Sequence, residues 1–403
     1  MKNKQSENKI LIFSSIWPTA THPYISFLFH GLKLKYPNLE FFLFKKGERR
    51  LAKDLIGNEE LKKIEQSIFL RFNFTKNPLA YIIPVFYLLV KFRRSLLVLK
   101  LCLKNNYTFY QSIGQLIYYH KLLSRKYDLV YFNSLQVARH ICIEAFFKET
   151  KVICSSRGQD FDFEPDSFRK VLQNCDQLHV LGEYLKNKAV AQGYDSKNIS
   201  IIQPASLPVD LKDKYKEVNP EKSEITLITS SRLYWTKGHI YVLRALSILK
   251  YNRPELNFKY IIVGDGPEME FLKFEAKRLQ INDKLEFCGW KNQNEVNQLV
   301  MNADIYVLLS IEEGFNNSVT QAQMLGKACI VSNAGGLPEN VKNEYSGLVI
   351  EKYSPEGFAE ALLNLIDKDL LDNFSENAKS NVAGRSLRHQ LNEFENMFEK
   401  VLS

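Results

Sequence analysis

Between Ala303 and Val341 the chain reads ADIYVLLSIEEGFNNSVTQAQMLGKACIVSNAGGLPENV. Ile305 to Leu309 is a short apolar run of strand formers. Gly314 to Asn317 is a polar turn with exposed amides. Val319 to Leu325 has helical composition, and Gly326 stands just past its end as a helix stop. Ala328 to Ser332 is a second buried strand, followed by Gly335 and Gly336. A strand feeding a turn and then a helix, followed at once by another strand, constrains the chain to a parallel α/β sheet. The same turn prepares an anion site, because a helix N-terminus leaves N–H groups without partners. Glu313 lies at its edge and can accept hydrogen bonds from hydroxyl groups. An anion-binding half beside a hydroxyl-binding half suits a sugar linked to a diphosphate.

The alternation runs through the whole chain. Strand-like runs at Lys9–Ser14, Leu39–Phe44, Leu129–Phe132, Val152–Ser155, Gln177–Val180 and Ile199–Ile202 alternate with helical ones at Tyr24–Leu34, Leu135–Phe147 and Glu183–Gln192. Pro208 to Pro220 has linker composition. A second series follows, with strands at Ile225–Thr229, Tyr260–Val263 and Leu285–Phe287 and helices at His239–Lys250, Met269–Leu279 and Glu295–Asn302. Pro355–Asp367 and Ser386–Leu402 read as closing helices. A chain of 403 residues exceeds one core. The expected division is 1–207, 208–385 and a closing helix at 386–403, with a ligand cleft between two doubly wound domains.

Residues 67–123 depart from the alternation. Leu79 to Lys104 is strongly apolar but carries Lys91, Arg93 and Arg94. Three charges at mid-depth cost a few kcal/mol each in a spanning helix, so the segment is expected as a basic helical insertion facing an anionic membrane surface. Packing on the first domain with snorkelling lysines is the plainer reading. The N-terminus has no apolar h-region of a secretory signal. The net charge of +9 fits anionic partners. The six cysteines form no C-x-x-C pair and the seven histidines are scattered. Buried thiols in a reducing compartment are expected, with no metal site. Asp160-Phe161-Asp162 is read as part of an acidic loop, not a metal motif.

Arg232 and Lys237 stand five apart in the loop before the helix at His239. Their fork and point charge suit a diphosphate, although a solvated pair of loop cations has the same pattern. Glu313 is the candidate carboxylate for the sugar, able to stabilise an oxocarbenium-like state; Glu312 is expected in solvent. Gln321, two helical turns on, can reach ribose hydroxyls or be an ordinary polar helix residue. The Gly264-Asp265-Gly266 turn allows close backbone approach to a ligand. Arg157 and Asp160 end a strand of the first domain, as cleft residues or as a surface ion pair. His22 is a further surface or acceptor-side residue.

Together these segments resemble family 4 of the retaining glycosyltransferases, which have the two-domain GT-B fold. The resemblance rests on S-R-x-x-x-x-K-G at Ser231 to Gly238, V-G-D-G-P at Val263 to Pro267, F-x-G-W at Phe287 to Trp290, and E-G-F-x-N through G-G-L-P-E-N from Glu313 to Asn340. It is strong over about 225–350 and weaker before 207. It implies that Arg232 and Lys237 bind the donor diphosphate and that Glu313 contacts the transferred sugar. It further implies that Phe315, Asn316 and Asn317 offer backbone amides to sugar and phosphate, with Gly314 beside them in the donor site, and that the Trp290 segment meets the base. Arg157-Gly158-x-Asp160 resembles the family's His-Gly-x-Asp element, with Arg in place of His. Gln321 stands where the family usually has Glu. The implied activity is retaining transfer from a nucleotide sugar, UDP-linked, to a lipid-linked saccharide in capsule, exopolysaccharide or lipopolysaccharide synthesis. No metal or other cofactor and no nucleic acid take part. The enzyme is expected on the cytoplasmic face of the membrane. A nucleotide-sugar epimerase and a non-catalytic nucleotide-sugar-binding protein are the alternatives.

Overall fold

The computed structural model describes residues 8–17, 24–46, 68–70, 125–139, 149–158, 160–163, 165–205, 224–367 and 370–403, and the single positions 92, 95, 96, 99, 100, 103 and 143. The loop through Pro18, His22 and Pro23, the stretch Pro208–Pro220, and Lys91, Arg93 and Arg94 lie outside them.

In chain order the first series is β1 (Ile10–Trp17), α1 (Tyr24–Lys35), β2 (Glu40–Lys46), β3 (Ile68–Leu70), β4 (Leu129–Phe132), α2 (Leu135–Arg139), β5 (Lys151–Ser156), α3 (Asp160–Phe163), α4 (Pro165–Gln173), β6 (Gln177–Val180), α5 (Glu183–Ala191) and β7 (Ile199–Ile201). The second is β8 (Ile225–Ser230), α6 (His239–Asn252), β9 (Phe258–Val263), α7 (Met269–Arg278), β10 (Leu285–Gly289), α8 (Gln293–Asn302), β11 (Ile305–Leu308), α9 (Asn317–Met324), β12 (Ala328–Ser332), β13 (Gly347–Ile350), α10 (Pro355–Asp367), α11 (Leu371–Val382) and α12 (Leu387–Leu402).

The strands form two parallel sheets, ordered β3-β2-β1-β4-β5-β6-β7 and β10-β9-β8-β11-β12-β13. In each, the order reverses at the first strand of the series, β1 or β8. Parallel strands covered on both faces are apolar throughout. All four residues of β4 and of β11 are accordingly buried. In the second sheet β8 lies between β9 and β11, with Ile228 opposite Ile261 on one side and Tyr306 on the other. One face packs Leu243, Leu246, Phe358 and Leu362; the other packs Val300, Val319, Ala322 and Leu337.

The chain divides into two units. One comprises Met1–Leu181, Lys186–Ile202 and Gln390–Ser403; the other comprises Gly182–Leu185 and Gln203–His389. The closing helix α12 therefore belongs largely with the first unit. Its Phe394 meets Tyr131 edge-on at 5.7 Å and His179 at 5.1 Å. Within 67–123, Ile68–Leu70 is strand, not helix, and extends the first sheet beside β2. Positions 92, 95, 96, 99, 100 and 103 are helical. No helix among the described residues is long and apolar enough to cross a membrane.

Candidate active site

The second unit gathers its candidate residues where β8 and β11 end. After β8 the loop from Ser231 runs into a 3-10 turn, Trp235–Lys237, and Gly238 joins that turn to α6 with φ +67°. A Cβ there would stand 1.8 Å from the Leu309 carbonyl oxygen. Only glycine lets the loop lie this close to the end of β11 while taking a left-handed conformation. The consequence is electrostatic: Lys237 Nζ reaches Glu313 Oε1 and pairs with it, both side chains being largely buried.

Glu313 Oε1 also accepts from Ser310 Oγ at 3.1 Å and from Asn316 Nδ2 at 3.1 Å. All three donors converge on this oxygen, and none of the described residues donates to Oε2. One carboxylate oxygen thus fixes the side chain, and the other keeps its acceptor capacity. Arg232 differs from Lys237. Its guanidinium lies over the Tyr234 ring at 5.3 Å, with no carboxylate partner among the described residues.

Asn316 does more than its sequence position implies. Its Oδ1 accepts from the Val319 amide at 3.1 Å and so caps α9. Its own amide, expected to face the sugar or phosphate, instead donates to Asn340 Oδ1 at 3.1 Å. Asn340 Nδ2 returns bonds to the Asn316 carbonyl and to Thr320 Oγ1, at 3.0 and 2.9 Å. Arg385 closes the group, donating to Thr320 Oγ1 and to the Glu339 carbonyl and stacking over Phe315 at 5.3 Å. Burial holds the Arg385 guanidinium below its ordinary pKa. Glu312, expected in solvent, accepts from the Tyr184 hydroxyl. Glu339 accepts from the amides of Glu183 and Tyr184 at 2.8 and 2.6 Å.

The Gly264–Gly266 turn approaches the chain itself, not an open space. A Cβ on Gly264 would meet the Ser231 carbonyl oxygen at 1.9 Å, and the Leu233 amide donates to the Asp265 carbonyl at 2.9 Å. The turn therefore supports the Arg232–Lys237 loop from below. His239 supports it from the side. It contacts Ser231 Oγ through Nε2 at 2.9 Å and the Tyr260 hydroxyl through Nδ1 at 3.3 Å. Burial, with the Lys237 charge adding to it, lowers the His239 pKa to about 4. Gly314 and Asn317 flank this group, Gln321 is buried on α9, and Trp290 after β10 is exposed.

In the first unit, Arg157 follows β5. Its Nε donates to the Asn133 carbonyl at 2.7 Å, and its Nη2 donates to Asn133 Oδ1 at 2.6 Å and to the Tyr131 hydroxyl at 3.3 Å. Asp160 Oδ2 accepts from Ser156 Oγ and from the Arg157 amide, at 3.0 and 3.1 Å. Asp160 thus sets the backbone of the turn, while Asn133 aims the guanidinium. Behind them His179 is fully buried. Its Nε2 lies 3.0 Å from the Ile202 carbonyl and its Nδ1 3.0 Å from Tyr131 Oη. Because a carbonyl only accepts, Nε2 carries the proton and Nδ1 is the acceptor, facing the hydroxyls of both Ser155, at 2.9 Å, and Tyr131. Burial, reinforced by the Arg157 charge, lowers the His179 pKa to about 3.

Sequence reasoning missed Asn340, Arg385, His239, Asn133 and His179. Asn340 and His239 border motifs already singled out. Arg385, Asn133 and His179 carry no local pattern.

This combination defines a class. Two doubly wound parallel α/β units are the elements of the GT-B fold. Residues 212–381, which lie within the second unit, match the family model for glycosyl transferases group 1. Among curated relatives, an Escherichia coli UDP-Gal:alpha-D-GlcNAc-diphosphoundecaprenol alpha-1,3-galactosyltransferase is 29% identical over 199 residues, covering 49% of this chain and 50% of its own. The chain spans about half the length of the curated relatives it matches. Among solved structures, Anabaena HepE, in complex with UDP and glucose, aligns with a TM-score of 0.69 at 16% identity, covering 98% of this chain and 100% of that one. The lipopolysaccharide outer core galactosyltransferase WaaB aligns with a TM-score of 0.69 at 16% identity over 97% of this chain and 99% of its own. These two likenesses establish the fold.

Proposed function

We propose that the protein is a retaining glycosyltransferase that moves a sugar from a UDP-linked donor to a lipid-linked saccharide. The observation that carries this reading is the meeting of Lys237 with Glu313 at the ends of β8 and β11. A donor diphosphate would draw Lys237 away from the carboxylate and engage the unpaired Arg232. As the bond from the anomeric carbon to the diphosphate breaks, both cations offset the charge gathering on the leaving group. They supply this charge without a metal ion. Glu313, freed on one side and still held by Ser310 and Asn316, accepts hydroxyls of the transferred sugar. Gln321 takes the ribose and the Trp290 segment the base. Arg157 and Asp160 serve the acceptor hydroxyl.

The diphosphoundecaprenol acceptor named for the Escherichia coli relative supports a lipid-linked acceptor. HepE, solved with UDP and glucose, supports the nucleotide. Phe92, Leu96 and Leu103 are exposed at helical positions four and seven apart. Exposed apolar side chains at this spacing support peripheral association with the inner face of the cell membrane. The test is Lys237→Ala. Transfer should fall about a hundredfold or more and UDP binding should weaken; unchanged kinetics would reject the phosphate-site assignment.

A further inference from the structure

A cavity of about 330 Å³ opens beside the Arg232–Lys237 loop in the second unit, and none of the residues assigned above to the donor lines it. Its walls include Tyr234 and Trp235 from the loop, Tyr241 and Arg244 from α6, and Glu268 and Phe271 at the start of α7. Trp235 is 61% exposed, and Tyr234 and Phe271 are more than two-fifths exposed. Three large aromatic side chains on one rim are costly to leave in water without a partner. Tyr234 already carries Arg232 on its ring. Among the described residues the Trp235 indole has no ring or hydrogen-bond partner, and neither the Arg244 guanidinium nor the Glu268 carboxylate has one.

We propose that this cavity is a second saccharide subsite, holding one or two pyranose rings of an oligosaccharide. A pyranose presents an apolar C–H face and a rim of hydroxyls. The indole of Trp235 offers a flat apolar face with a donor at its edge. Arg244 donates and Glu268 accepts, which matches a hydroxyl rim, since hydroxyls do both. The mixed charge disfavours the other ligands that stack on aromatics. Glu268 offsets the attraction of Arg244 for a nucleotide diphosphate, and two ionic groups are expensive to cover with an alkyl chain. The volume sits at the low end of the roughly 300–1,000 Å³ of small-ligand pockets.

The subsite extends the proposed function by giving a saccharide chain a hold on the loop that carries Lys237. It rests on that reading only for the source of the saccharide; binding itself is independent of it. The test uses the full chain and a panel of two- to four-residue oligosaccharides of glucose, galactose and their N-acetylamino forms. Binding is followed by tryptophan fluorescence and ligand-observed NMR, with UDP binding read separately by thermal shift. Members of the panel should bind saturably. Trp235→Ala should weaken them about five- to tenfold, Trp235→Phe less, and Glu268→Gln measurably, with the UDP shift retained in all three. Lys237→Ala should reduce the UDP shift and keep oligosaccharide binding. Absence of saturable binding across the panel, or binding indifferent to Trp235 and Glu268, overturns the subsite. A Trp235 response to phosphatidylcholine–phosphatidylglycerol vesicles with none to oligosaccharides also overturns it, in favour of a membrane contact. Oligosaccharide binding with no UDP binding in the wild type would leave the subsite standing and remove the donor reading.

Discussion

Mild acid should destabilise both units, because each encloses one neutral histidine. His179 and His239 are buried with pKa values lowered to about 3 and about 4. An unfolded histidine titrates near 6.5. Between these values the unfolded chain binds a proton at each position that the fold refuses. The contribution of each histidine is therefore complete above pH 6.5 and is lost as pH falls towards 4 and 3. The slope is about 1.4 kcal/mol per pH unit per histidine. From pH 7.5 to pH 5 that comes to about 2 kcal/mol for His179 and about 2 kcal/mol for His239, so about 4 kcal/mol in all. The carboxylates lowered by ion pairs, such as Glu286, add to this only further down, since unfolded glutamates titrate near 4.3. Urea titrations at pH 7.5, 6 and 5 measure the effect. Tryptophan fluorescence reports Trp235 and Trp290 in the second unit together with Trp17 in the first, and circular dichroism follows both. His179→Gln should remove about half of the pH dependence, whatever it costs at pH 7.5. Equal urea midpoints at pH 7.5 and pH 5 would refute the reasoning, for they would mean that neither imidazole is sealed from protons.

Gly238→Ala places a methyl group 1.8 Å from the Leu309 carbonyl oxygen at φ +67°; a loss of about 2 kcal/mol or more in thermal or urea stability is expected. Asn316→Ala should cost about 1–2 kcal/mol through the α9 cap and should lower transfer as well, by freeing Glu313. Asn316→Asp should recover the cap but not the activity, because it sets a second carboxylate against Glu313; full activity in the aspartate variant would show that the contact to Oε1 has no part in the chemistry. Charge reversal of Arg93 and Arg94 to Glu should release the protein from anionic liposomes, and equal sedimentation of variant and wild type would exclude that segment as the membrane contact.

The recurring run of strand, polar turn and helix disclosed the two parallel sheets, since covered parallel strands must be continuously apolar and helices must carry one apolar stripe. It located Lys237, Glu313 and the Gly314–Asn317 turn, because those residues sit beside glycines and strand ends that are visible locally. Helix α11 escaped notice. Its sequence LDNFSENAKSNV is polar, and it is held by Phe374, Ala378 and Val382, spaced four apart and buried against the unit. The three-residue strand β3 and the four-residue β13 were equally silent, being too short for periodicity to register. The family resemblance also implied a ligand for the Asn316 amide, which in the structure donates to Asn340, 24 residues away.

What the sequence by itself determined is chemical type and order: which segments are strands, and which cations and carboxylate follow them. Only the tertiary structure decided which of these meet. Lys237 and Glu313 are 76 residues apart and pair because β8 and β11 are neighbours in the sheet. Strand order is fixed by how helices of this length cross over and cover each face, which is a property of the whole unit and of no single segment.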